Sequence, residues 1–205
     1  MKDYNDIMRG ERVIRANYDD DTITVYQAFS KRIALPAVEA QTFVSPPFKM
    51  ERMTWIKPSF LWMMYRSGWA LKEDQKQILS IKITRAGFEE ALRMSCLSTF
   101  NEGIHKTRDN WREQLTKSPV RIQWDPERDI FLEPLDYREI QIGLSGDGVE
   151  KYVNNWIVSI DNITEQVGDI YAQVKNDPEK AKLLLLEEEY YPVPEDIERI
   201  VRVKK

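Results

Sequence analysis

Residues 52–69, Arg-Met-Thr-Trp-Ile-Lys-Pro-Ser-Phe-Leu-Trp-Met-Met-Tyr-Arg-Ser-Gly-Trp, hold the densest concentration of side chains able to grip a ligand. Arg52, Lys57 and Arg66 are cations, Trp62 and Tyr65 are flat rings, and Thr54 and Ser59 carry hydroxyls. Cations bind phosphate through charge-assisted hydrogen bonds, and aromatic faces stack bases. Between Lys49 and Lys72 five basic residues meet one acid, although the whole chain carries a net charge of −4. A local positive patch on an acidic chain fits a phosphorylated small ligand or a short nucleic-acid contact better than a long duplex track. The competing reading is structural: the tryptophans and methionines are core, and Lys57 and Arg66 merely reach solvent.

The run must be positioned by a helix. Lys57-Pro58-Ser59 suits a helix start, because proline's missing N–H would be unpaired in the first turn anyway. Phe60 to Arg66 then makes about two turns, and Gly68 is placed to end them in a left-handed conformation. The helix is apolar nearly all round, so it should be buried. Its N-terminal dipole and free N–H groups, with Thr54, Lys57 and Ser59 beside them, would favour an anion.

Around this centre the chain reads as α+β. Thr22 to Phe29, Gln77 to Thr84, Pro119 to Trp124 and Tyr137 to Leu144 have the β-branched content and alternation of strands; Val13 to Tyr18 reads as a shorter one. Ser30 is placed to cap a helix in which Pro36 must sit in the first turn. Phe88 to Ser98 has helical spacing with Cys96 inward, and Asp125 to Asp129 reads as a turn. Val149 to Trp156 and Thr164 to Lys175 read as helices, and Asp177-Pro178 starts a last long one. Without regular βαβ alternation, a mixed, largely antiparallel sheet with flanking helices is expected. The boundaries predicted are a single α+β domain over residues 1–175 and a C-terminal helical extension over 176–205.

Some chemistries are set aside by what is missing. The single cysteine, Cys96, allows no internal disulfide, and no zinc-type spacing accompanies it, which points to a reducing cytoplasm. The single histidine, His105, lies in a polar segment and reads as a surface residue. Walker, Gly-x-Gly-x-x-Gly, His-Glu-x-x-His and Gly-x-Ser-x-Gly motifs are absent. No metal is indicated. The first twenty residues lack an apolar signal region, and no run is long enough to span a bilayer, so no membrane partner is expected.

Polar residues on the strands complete the candidate set. Gln27 interrupts an apolar strand; Arg121 and Gln123 share one face, as do Glu139 and Gln141, with Arg138 adjacent. Buried, such groups must pair with one another or with a ligand. Trp124 to Arg128 is alternatively an ion-pair corner, and Ser145-Gly146-Asp147-Gly148 is a glycine loop at a helix start.

Ile14-Arg15-Ala16, residues 22–29, Phe43 to Phe48, the run at 52–69, Ser118 to Asp129 and Arg138 to Gly146 together resemble the family called domain of unknown function 4291, over about residues 12–175. That family supplies no activity to carry over. More distantly, the order of elements resembles the ADP-ribosyltransferase fold, whose split mixed sheet holds NAD. The resemblance implies that Gln27 takes the first-strand position, Ser59 or Tyr65 the middle one, and Glu139 or Gln141 the last. The usual His-Tyr-Glu and Arg-Ser-Glu sets are absent here. A row of arginines beside a cleft is more similar to the RNA 2′-phosphotransferase branch.

The function expected is therefore a nucleotide- or NAD-using transferase acting on nucleic acid or a phosphorylated small molecule. Arg15, Arg52, Lys57 and Arg66 would hold phosphates, with Arg121 and Arg138 as further cations, and Tyr26 and Trp62 would stack a ring. Glu139 would stabilise an oxocarbenium-like transition state. The rival is a non-catalytic module that binds a nucleotide or single-stranded nucleic acid. The first requires Glu139 and Lys57 to face one cavity; the second requires only the basic and aromatic groups to do so.

Overall fold

The strongest alternating segments build two sheets. In the computed structural model, which describes residues 12–203, β2 (Thr22–Phe29), β4 (Gln77–Thr84) and β8 (Ile157–Asn162) form an antiparallel sheet in the order β2-β4-β8. The second sheet has the order β3-β7-β6-β5: β3 (Thr54–Ile56), β7 (Pro134–Leu144), β6 (Val120–Arg128) and β5 (Ser95–Leu97). It is antiparallel except for the parallel β5–β6 pair. A third, small sheet pairs β1 (Arg15–Ala16) with β9 (Glu189–Tyr190). The fold is thus α+β with mixed, largely antiparallel sheets, as expected. Residues 1–11, part of the charged N-terminal stretch read for a leader, lie outside the described residues, as do Lys204 and Lys205.

Alternation decides which face is dry. On β6 and β7, Val120, Ile122, Trp124, Ile140, Ile142 and Leu144 enter the main core with Ile23, Val25, Leu79, Ile81 and Ile83 from the other sheet. Helices α1 (Lys31–Ala40) and α3 (Arg85–Arg93) cover this core. So does α9 (Glu195–Val201), through Ile197 and Val201, with Tyr191 and Val193 just before it. The C-terminal segment therefore shares the core of the residues before it. A second core gathers Tyr26, Phe60, Met63, Met64 and Trp69. It packs them on Val167, Ile170 and Val174 of α7 (Thr164–Asn176) and Ala181 of α8 (Pro178–Leu183).

Several local expectations change. Pro36 lies inside α1, not in its first turn, and Ser30 precedes the helix without a side-chain cap bond. The helix expected over 88–98 ends at Arg93, and Cys96 sits on β5. Parallel pairing with β6 overrides its helical spacing. Asp125 to Arg128 continue β6, with an irregularity between Pro126 and Arg128, because Asp125 and Pro126 still pair with Glu139 and Arg138. The last long helix is the short α8, followed by β9. His105, at the end of the short α4 (Glu102–His105), is 2% exposed, under Phe100 and Trp111.

The helix expected from Val149 through Trp156 is present, its second half, Tyr152–Trp156, wound as a π-helix, and α3 packs on it at close range. A Cβ on Gly87 would stand 2.4 Å from the Trp156 ring, whose N–H donates to Glu90. That indole has little room to yield. Gly87→Ala is expected to lower the unfolding free energy by about 1–3 kcal/mol, read from the urea midpoint at unchanged m-value.

Candidate functional site

Besides sharing the main core, the two large sheets are joined, among the described residues, by one backbone bridge. The backbone N–H of Tyr26 donates to the Lys57 carbonyl at 2.7 Å, an isolated antiparallel bridge. The next side chain, Gln27, then stands where further ladder bonds would form. Its Nε2 donates to Thr54 Oγ1 at 2.7 Å and to the Trp55 carbonyl at 3.1 Å. Its Oε1 accepts from the Tyr152 hydroxyl at 2.8 Å. Beyond Gln27 the strands part, and a cavity of about 460 Å³ opens between Gln27–Phe29 and Met53–Trp55.

The central run behaves as its composition implies. Helix α2 (Phe60–Ser67) starts at Ser59, whose Oγ accepts from the Trp62 N–H at 3.0 Å, and ends at Gly68 in the left-handed region, φ 59°. Phe60, Met63, Met64 and Trp69 bury against α7 and α8. This anchoring carries Lys57 and Arg66 to the cavity, where they join Gln75, Gln123 and Gln141.

Lys57 is 5% exposed. Among the described residues it makes no hydrogen bond or ion pair through its ammonium group. Burial, and then the charge of Arg66, pull its pKa down to about 7, with Asp125 opposing them. Asp125 is held elsewhere: Gln123 donates to its Oδ1 at 3.1 Å and Gln141 to its Oδ2 at 2.5 Å. The wall is thus two cations and several amides, two of which hold Asp125, a carboxylate that does not itself line the cavity. Phosphate, carboxylate or carbonyl oxygens are what such a wall can bind.

Among the residues expected at the site, Gln27, Lys57, Arg66 and Gln141 line this cavity. Arg52 is exposed in an adjoining hollow with Phe29, Phe48 and Lys49. The others lie elsewhere. Tyr26 is fully buried, edge-on to Phe60. Trp62 and Tyr65 stack on each other, with the Arg128 guanidinium 3.7 Å from the Tyr65 centroid. Arg121 pairs in register with Cys96 and Gly143, and Arg138 donates to the Trp124 carbonyl at 3.1 Å. Ser59 is fully buried as the helix cap.

Glu139 belongs to a different cluster. It is 1% exposed, accepts from the N–H groups of Arg15 and Ile140, and pairs with the Arg15 guanidinium at 3.6 Å. Arg15 lies over the Tyr137 ring. Glu127, bonded to Ser59 and to the Arg128 N–H, and Glu188 complete the cluster. Glu188 accepts from the Phe60 N–H at 2.6 Å, so the carboxyl group at the α2 N-terminus is the chain's own. Burial first, then neighbouring carboxylates, push Glu139 and Glu188 well above the usual carboxylate range, with Arg15 opposing.

Cys96 and His105 approach to 3.9 Å. The Asn101 N–H donates to His105 Nδ1, so the neutral ring carries its proton on Nε2, facing the sulfur. In that tautomer it is no base for the thiol, which burial pushes upward.

The sequence missed Asp125, read as a turn, and Glu188, one of three consecutive glutamates. Alternation with Trp124 could have placed Asp125 on the Gln123 face. Nothing local marks Glu188, whose partners are distant in sequence.

The fold and cleft define an α+β protein with a basic, amide-lined cavity where two sheets diverge. The model of the family described as Domain of unknown function (DUF4291) matches residues 13–191, and the chain belongs to that family. No curated protein matches the sequence. Among the described residues no helix is long and apolar enough to cross a membrane.

Two stability predictions follow from the buried charges. Lys57 titrates near 7 folded and near its ordinary 10.5 unfolded, so stability should rise with pH between those values. Lys57→Met should raise the urea midpoint of the ligand-free protein at pH 6 and lose that advantage by pH 10. Glu188 has the opposite sign: its raised folded pKa favours the native state below the ordinary 4.5, a contribution lost as pH rises. Glu188→Gln should leave stability nearly unchanged at pH 4 and increase it at pH 8, read from the same titrations.

Proposed function

We propose that the cleft binds a nucleotide, with NAD the first candidate, and that the chain uses it as an ADP-ribosyltransferase-like transferase toward nucleic acid or a phosphorylated small molecule. One observation carries this: Lys57 is a buried cation on the cavity wall, beside Arg66, with no acid in ion-pair range among the described residues. Burying an unpaired ammonium is unfavourable, and a bound phosphate would supply the missing charge. Gln75, Gln123 and Gln141 offer amides for base or carboxamide edges. The cavity size lies in the range of small-molecule sites. Asp125 does not itself line the cavity; held by the lining amides Gln123 and Gln141, it is the carboxylate assigned to stabilising a developing oxocarbenium charge.

The position of Glu139, in the Arg15 cluster and not among the cavity-lining residues, favours a second reading: nucleotide or single-stranded nucleic-acid binding without catalysis.

A thermal-shift panel with NAD, ADP-ribose, ATP, short RNA and short single-stranded DNA separates these. A ligand at a hundred times its Kd adds about 2.7 kcal/mol of stability. Lys57→Ala and Arg66→Ala should each weaken nucleotide binding about 10- to 100-fold, the worth of a charge-assisted hydrogen bond. Affinity should fall as pH rises past about 7, where Lys57 loses its proton. Nicotinamide release from NAD, lost in Asp125→Asn, would support the transferase; binding without release would support the module. Failure of every ligand to shift the melting temperature would reject both.

A further inference from the structure

Lys57 has the surroundings of a reactive amine as well as those of a phosphate ligand. Its side chain lines the cavity while remaining 5% exposed. Arg66, which cannot give up its charge, lines the same cavity. Asp125 opposes burial and Arg66 only at a distance: it makes no ion pair with Lys57 and accepts from the amides of Gln123 and Gln141. A lysine desolvated beside a fixed cation, with no acid in ion-pair range among the described residues, is the arrangement that frees an amine lone pair.

We propose that Lys57 is a nucleophilic amine that condenses with the carbonyl carbon of a phosphorylated aldehyde or ketone while Arg66 holds the phosphate. The phosphate half of this inference rests on the ligand-binding reading of the cleft. The neutral Nζ adds to the carbonyl carbon, and a proton passes from nitrogen to the former carbonyl oxygen, giving a carbinolamine. A second proton, from solvent, lets that oxygen leave as water, and the product is a protonated imine. No oxidant or reductant is consumed. With its pKa pulled to about 7, roughly half of Lys57 is neutral at neutral pH, against about one in a few thousand for an ordinary lysine.

The test uses the full chain, pyridoxal 5′-phosphate as the aldehyde, and borohydride to reduce the imine to a stable secondary amine that peptide mass mapping locates. Lys57 should be labelled at least about tenfold faster at pH 7 than exposed lysines such as Lys31 and Lys106. Its rate should level off above about pH 7, whereas labelling of an ordinary lysine keeps rising towards about pH 10. Inorganic phosphate should slow labelling at Lys57 and not at the others. Lys57→Arg should lose the adduct while keeping the positive charge. If that variant does not fold, the pH profile of the unaltered chain decides alone. Labelling of Lys57 no faster than the exposed lysines, or with their pH profile, overturns the proposal. Selective labelling in a protein that binds no nucleotide would support the amine and reject the nucleotide; nucleotide binding without selective labelling would do the reverse.

Discussion

The molecule depends on how the β2–β3 edge is interrupted. After the Tyr26–Lys57 bridge, the Gln27 side chain takes the Trp55 carbonyl that a backbone N–H would otherwise take. The amide is fully used, with its NH₂ on Thr54 and Trp55 and its oxygen on Tyr152. Burial at 3% exposure makes that completeness necessary, since each unmet buried polar group costs about 1–3 kcal/mol. A side chain so placed both joins the sheets and keeps them apart. The cavity is the space left by the ladder that does not form.

The same junction explains the charge on Lys57. Its carbonyl is the bridge acceptor, so its backbone is fixed at the fork, and its side chain has the cavity before it. The acids that could neutralise it are placed elsewhere. Glu127, Glu139 and Glu188 interact with one another around Arg15 and the start of α2. Helix α2 thus stands between an acid-rich interior and a cation-rich cleft. Glu188 at its start satisfies a free N–H of the first turn. The helix is held by a residue from the C-terminal segment, so the site and the chain end are linked through one hydrogen bond.

What the sequence makes legible is local. Thr22–Phe29 and Gln77–Thr84 show their strands by alternation alone, and Ser59 and Gly68 fix both ends of α2 by capping chemistry. Lys57, Arg66, Gln27 and Gln141 stand out by type and position. Failures occur where a distant contact outweighs local preference. Cys96 has helical spacing, yet pairs with β6. His105 sits in a polar segment, yet is closed over by Phe100 and Trp111. Asp125-Pro126 reads as a turn, yet β7 runs beside it. Trp62 and Tyr65 belong to the most ligand-like run, and it is Arg128, a protein cation, that stacks on them. Composition indicates that cations and rings will meet; it does not tell whether the cation comes from the chain or the ring from a ligand.

The cleft also divides charge between two kinds of cation. Arg66 is exposed and permanently charged, so its contribution to anion binding varies little with pH. Lys57 is desolvated, and its charge changes near neutrality. An incoming phosphate raises the proton affinity of Lys57 and so strengthens its own binding. A neutral carbonyl group brings no such charge and meets an amine with a free lone pair. Arg66 can hold the anionic end of either ligand, and the protonation of Lys57 then follows the group placed against it. A surface lysine could not make that distinction, because its proton stays on throughout the neutral range. Burial therefore turns one residue type into a group whose chemistry is selected by the ligand.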